Sequence, residues 1–254
     1  MFKQQYKNFF AVLFVMTGFL FYMITLALAQ ANEKTIPYPS TYNTTLAGAS
    51  PYIGKMDIEN SPYYPKIDIY NLTSNNTLTI LSHYKTYQQS NDITCGPAAA
   101  LTVLYHYGNT EYSELWLAGQ MGTKPKVGTN TTGIVNFFNK IGYQVESSLT
   151  TKPFDTIDQF SAFVIHNLKN NTPIMVENID WGGHWRVIIG YDTMGTTTLG
   201  DDVLIMADPF DTCDHHQDGY VIVSADKFFS MWFDATMMPK DQKYQQWIAV
   251  KPRK

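Results

Sequence analysis

The sequence has 254 residues, of which 44% are apolar and 16% charged, and a formal net charge of −4. That length supports one good core or at most two small ones, and the composition is globular rather than disordered. The acidic balance, with no basic block, argues against a nucleic-acid partner, and the 17 Tyr and 15 Phe are read first as core and rim packing.

Lys3 and Lys7 precede an uncharged apolar run, Phe9 to Ala29. Positive residues ahead of such a run keep the N-terminus on the cytoplasmic side. Its 21 residues are enough for a spanning helix and long for a signal peptide. Yet Ala27-Leu28-Ala29 and Ala29-Gln30-Ala31 both fit the small-x-small cleavage pattern. Residues 1–31 are therefore expected to be a signal peptide or a membrane anchor, with cleavage preferred. Either way the remainder lies outside the cytoplasmic membrane: periplasmic, extracellular, or anchored and facing outward. Residues 32–76, rich in Pro, Tyr and Asn, read as an extended leader or surface-hugging arm, and the folded domain is expected over 77–254.

Thr77 to Ser82 alternates weakly and reads as a short strand, and Tyr84 to Ile93 as a loop. From Cys95 an apolar stripe of Ala99, Leu101, Val103, Leu104 and Tyr107 predicts a helix stopped by Gly108. Short helices are expected over Tyr112–Ala118 and Ile134–Lys140, a strand over Tyr143–Glu146, and a helix over Thr156–Asn170. The period then changes. Ile174–Val176 and Trp185–Tyr191, separated by Asp180-Trp181-Gly182-Gly183, form a hairpin-like pair. Further strands are expected at Val203–Ala207 and Gly219–Val223, before a helix capped by Ser224 and running through Trp232. Helices first and strands last fit an α+β domain with a mostly antiparallel sheet.

The chemistry concentrates at Cys95. It stands before Gly96-Pro97 at the start of a helical pattern, where proline is tolerated and glycine permits close approach to the backbone. A thiol there feels the positive end of the helix dipole, its pKa falls, and the thiolate is the reactive species. His184, between two glycines and an apolar strand, is placed to accept a thiol proton and return it to a leaving amine. Asp208, closing the strand in MADPF, is placed to hold the far nitrogen of that ring. His106 lies eleven residues along the helix from Cys95, too far to be the direct base. His83 and His166 lack a supporting pattern. Asp211, Cys213, His215 and His216 have ligand chemistry, but adjacent histidines in a tight loop rarely close a tetrahedral metal site, and a solvated polar loop is the simpler reading.

These motifs together, Gln89-x5-Cys95-Gly96-Pro97, GGHWRVIIGYD with His184 and IMADPF with Asp208, resemble the C39-like cysteine peptidases of the papain superfamily. VGTNTTGIVNFFNKIGYQV and GYVIVSADKFFSMW add to the resemblance, which spans roughly Tyr84 to Trp232. It implies a papain-like fold in which a helical half carrying the cysteine faces a sheet carrying the histidine and the acid. Cys95 matches the nucleophile, His184 the base and Asp208 the orienting acid. Gln89 matches the oxyanion donor, with Gln88 as the neighbour one residue away, and the backbone N–H of Cys95 is the second donor. No cofactor and no metal are implied. The family includes peptidases that cut after a double-glycine leader and are usually fused to an ABC transporter. This sequence carries no such transporter, so the expectation is hydrolysis of a peptide or amide bond in a peptide or protein substrate. The alternatives are a weakly catalytic binding module of the same fold, and γ-glutamyl or acyl transfer as in phytochelatin synthases. A Cys95–Cys213 disulfide, which would remove the nucleophile, is a further alternative for an exported chain.

Overall fold

In a computed structural model the described residues are 34–42, 48–49, 63, 66–212, 214–234 and 237–253. The apolar run at 9–29 and Cys213 lie outside them. In chain order the elements that build the site are β1 (Leu78–Ile80), α1 (Cys95–His106), α2 (Glu114–Met121), α3 (Thr131–Lys140), β2 (Tyr143–Ser147), α4 (Ile157–Lys169), β3 (Ile174–Asn178), β4 (His184–Asp192), β5 (Val203–Ala207), β6 (Tyr220–Ser224), α5 (Ala225–Ser230) and β7 (Gln246–Pro252). The strands form one antiparallel sheet in the order β2-β7-β3-β4-β5-β6, with β1 also on β4. This is the expected α+β architecture, helices packed against an antiparallel sheet.

Helix α1 is the centre of the helical half. The sequence predicts one apolar stripe, but every residue from Cys95 to Leu104 is buried. The run Ala98-Ala99-Ala100 explains this: with only methyl groups on the remaining faces, neighbouring elements approach α1 from all sides, as for a helix inside a core. Full burial of Leu101, Val103 and Leu104 contributes about 1.5–3 kcal/mol each. The helix stops where expected, with Gly108 at φ 77°.

Other boundaries shift for local reasons. Helix α3 starts at Thr131 because the Asn130 side chain accepts the Gly133 N–H at 2.8 Å and caps the helix three residues before Ile134. Helix α5 is capped by Ser224, as predicted, but ends at Ser230. Trp232 lies beyond it, its ring packed on Phe160 and Phe228 at 5.0 and 5.3 Å. Strand β7 is absent from the sequence reading. It lies between β2 and β3, so the C-terminal residues complete the middle of the sheet.

Strands β3 and β4 are buried almost throughout, with α1 and α4 packed against β4. Strand β4 is the longest. β3 pairs with its first half, β1 with its second half, and β5 runs along its other edge. Because β4 and β5 are antiparallel, the start of β4 lies beside the end of β5. That register brings His184 and Asp208 together.

The residues ahead of the domain pack on it where they are described. Ile36 donates its N–H to Thr86 O at 2.8 Å, and Ala49 donates to Gln89 O at 2.9 Å. These partners lie in the loop that leads into Cys95.

Candidate active site

Cys95 is the first residue of α1, buried, and a free thiol. The second partner of the alternative disulfide, Cys213, is outside the described residues. Gly96 allows the helix start to sit against the sheet: a Cβ there would lie 3.0 Å from Thr129 Cβ and 3.3 Å from Trp185 Cδ1. Trp185 is fixed in turn by its indole N–H, which donates to Thr129 O at 2.8 Å.

His184 opens β4. Its Nε2 lies 2.6 Å from Asp208 Oδ1, and the ring lines the same cleft as the Cys95 thiol. Asp208, one residue past β5, is held at every polar atom. Oδ1 also accepts the Phe210 N–H at 2.8 Å, and the backbone N–H donates to Gly219 O at 2.8 Å. The backbone carbonyl accepts from Gln88 Nε2 at 3.0 Å, and Oδ2 stands 2.7 Å from Arg186 Nε. Arg186 continues to Asp180 Oδ2 at 2.6 Å. Arg186 has a simple signal in the sequence: it stands two residues after His184, so strand alternation puts both side chains on one face.

The electrostatics follow. Burial alone would push the Cys95 thiol up, but the hydrogen bond and charge of His184, with the backbone N–H groups of Trp185 and Gly96, outweigh it and hold the pKa down. Burial opposes charge on His184 too, but Asp208 and then Cys95 raise it to about 9. Arg186 and His184 hold the Asp208 carboxyl well below the usual carboxylate range against its own burial. The arrangement favours the Cys95 thiolate over that of an ordinary thiol and the His184 cation over a free imidazole, with the Asp208 carboxylate behind them.

The two glutamines separate. Gln89 lines the cleft beside Cys95 and donates Nε2 to Asn91 O at 2.7 Å. Gln88 turns to the Asp208 backbone, tying the loop before α1 to the end of β5. A second residue absent from the sequence reading organises that loop. Glu114, fully buried at the start of α2, accepts from Tyr87 Oη at 2.9 Å, from Ser90 N at 2.8 Å and from Thr94 Oγ1. The three partners bracket Gln89 and reach to the residue before Cys95.

Cys95 and His184 open onto a cleft of about 370 Å³. Trp181, 65% exposed and in the left-handed region at φ 57°, forms its rim with Phe210, their ring centroids 5.5 Å apart. Glu177 of β3 also lines the cleft.

The remaining candidates are elsewhere. His106 stacks on Tyr84 at 5.2 Å and bonds Asn171 at 3.1 Å. His83 packs on Tyr70, and His166 lies beside Asn170 on α4. The loop after Asp208 is less solvated than its composition predicts. Asp211 is fully buried and accepts the Gly219 N–H at 2.9 Å, and Gln217 is also buried. No group of three His, Cys, Asp or Glu suited to a metal occurs among the described residues.

Residues 81–235, more than half of the chain, match the family described as Peptidase C39 like, and the chain belongs to that family. Its fold is accordingly that of a C39-like, papain-like peptidase domain. No curated protein matches the chain. Among solved structures it is similar to the peptidase domain of Streptococcus ComA, a bifunctional ABC transporter involved in a quorum-sensing pathway, with 25% identity over 67% of this chain and 100% of that chain and a TM-score of 0.46. It is similar to the peptidase domain of Streptococcus mutans ComA, with 19% identity over 66% and 100% and a TM-score of 0.38. It is also similar to a double-glycine-motif protease from an AMS/PCAT transporter in complex with the leader peptide, with 14% identity over 66% and 91% and a TM-score of 0.39. No helix among the described residues is long and apolar enough to cross a membrane.

Proposed function

We propose that the protein is a cysteine-type hydrolase that cleaves a peptide or amide bond in a peptide or protein substrate through a thioester acyl-enzyme. The observation that carries this reading is the meeting of Cys95 and His184 on one cleft, with the His184 ring held by Asp208 at 2.6 Å. The Cys95 thiolate attacks the scissile carbonyl carbon. The developing oxyanion takes hydrogen bonds from the Cys95 backbone N–H and the Gln89 amide. His184, cationic in the resting pair, protonates the leaving amine as the C–N bond breaks. The neutral ring then takes a proton from water, which attacks the thioester and releases the acid. Asp208 holds the ring orientation and stabilises its cation throughout. The test is turnover of a peptide library by the wild type and Cys95→Ala, with intact-mass detection of the acyl-enzyme. Cleavage and a Cys95-bound acyl group are expected from the wild type alone; equal turnover by Cys95→Ala ends the proposal.

The domain boundaries belong to the same reading: residues 1–31 direct export, 32–76 form an arm, and 77–254 are the hydrolase. The mature protein is expected to begin near Gln30 or Asn32. Recovery of intact Met1 in the membrane fraction would show an anchor instead.

A further inference from the structure

The loop that leads into Cys95 carries Gln89, and the arm ahead of the domain follows that loop closely. Lys34 O accepts the Thr86 N–H at 3.1 Å, and Ile36 donates back to Thr86 O at 2.8 Å. Tyr38 sets its ring edge-on to Tyr87, the centroids 4.9 Å apart, and its hydroxyl donates to Gln88 O. Ala49 donates its N–H to Gln89 O at 2.9 Å, and Gly48 donates to Asp92 Oδ1 at 3.2 Å. The Tyr42 hydroxyl accepts the Leu115 N–H at 2.8 Å, next to the buried Glu114 that ties the same loop from within. An irregular loop has no ladder to satisfy its backbone, so its buried polar groups need partners from elsewhere. Here the carbonyls of Thr86, Gln88 and Gln89 all accept from the arm.

The approach is tightest at Gly48. A Cβ there would lie 2.4 Å from Gln89 O, 2.6 Å from Asn91 N and 2.8 Å from Ser90 C, and its φ of 72° is left-handed. Glycine alone meets both conditions without strain. Ala49 beside it is fully buried. The Gln89 N–H donates to Pro209 O at 2.8 Å, so Gln89 is held at its N–H by the residue after Asp208 and at its carbonyl by the arm. Its side chain lines the cleft, with the amide oriented by Asn91 O at 2.7 Å, inside the turn on which Gly48 rests.

We propose that Gly48 and Tyr38 are positioning residues of the hydrolase: the arm sets the backbone of loop 86–92 and, through it, the Gln89 amide. The inference rests on the hydrolase reading for the oxyanion role of Gln89, but its test needs no peptide substrate. Two reactions of Cys95 are compared in the full chain. With p-nitrophenyl acetate the thiolate attacks the ester carbonyl, p-nitrophenolate leaves and a thioester forms, so an oxyanion is built on the way. With iodoacetamide the thiolate displaces iodide and none is built. Gly48→Ala is expected to lower the Cys95-dependent acylation about tenfold, less than the roughly 10²–10³ of losing a donor outright, with alkylation nearly unchanged. Tyr38→Phe, which keeps the ring and loses one hydrogen bond, is expected to lower acylation about threefold. In the Gln89→Ala background neither substitution is expected to slow acylation further, because the donor they position is gone. A merely structural arm would slow both reactions together, by the same factor in either background. That result, or acylation at the wild-type rate in both arm variants, overturns the proposal while leaving the hydrolase reading intact. Gln89→Ala acylated as fast as the wild type would overturn the proposal together with the oxyanion role of Gln89. Release of p-nitrophenolate by Cys95→Ala at the wild-type rate would sink the hydrolase reading itself, and the proposal with it.

Discussion

Arg186 Nε stands 2.7 Å from the Asp208 oxygen that His184 does not use. Asp208 is thus gripped from both sides, and the orientation of the histidine depends on an arginine two residues further along the same strand. Both charges are buried. Arg186→Gln should cost about 3 kcal/mol of stability, because it removes one of the two cations that hold a buried carboxylate. It should leave the His184 pKa raised, since it removes a neighbouring cation and keeps the carboxylate, whereas Asp208→Asn should lower it. Thermal unfolding and the pH dependence of turnover measure the two effects separately.

Asp208→Asn should preserve the fold and reduce kcat on a cleavable peptide by roughly 10–10³. The asparagine amide can face the ring the wrong way and favour the wrong tautomer, a change that costs about 10⁴ when made in the triad of a serine hydrolase. The smaller loss is expected because the Cys95 thiol, held down by His184, depends less on general-base activation.

Gln89→Ala should lower kcat by roughly 10²–10³ and leave the alkylation rate of Cys95 nearly unchanged, since alkylation builds no oxyanion. Gln88→Ala should behave differently. Its amide holds the Asp208 carbonyl rather than facing the cleft, so the loss should appear in stability, by about 1 kcal/mol for one hydrogen bond. Equal kinetic losses in both variants would reverse the assignment.

The pH dependence carries a definite sign. His184 is raised to about 9, so the imidazolium that protonates the leaving amine is present below that value and lost above it. The rate of turnover should therefore fall on an alkaline limb near 9. The acid limb marks protonation of the thiolate and should lie below the ordinary thiol range. Alkylation should show the acid limb without the alkaline fall, because it needs the thiolate and no proton donor.

Much of this site is legible before any coordinates. Cys95, His184 and Asp208 each sit at an element boundary marked by glycine or proline, and the change of period separates the helical half from the sheet. What was hidden depends on pairing. Strand β7 is remote in sequence from β2 and β3, so nothing local announces that it joins them. Glu114 reads as an exposed first-turn acid, and only the fold of the preceding loop turns it inward to Tyr87, Ser90 and Thr94.

The thiolate–imidazolium pair is tested most directly by the rate of Cys95 alkylation with iodoacetamide across pH, in the wild type and in His184→Ala. The wild type should stay reactive well below the ordinary thiol pKa of about 8.5, and His184→Ala should lose that reactivity and regain it only in alkaline solution. Identical profiles for both proteins, each rising only near the ordinary thiol pKa, would contradict the account.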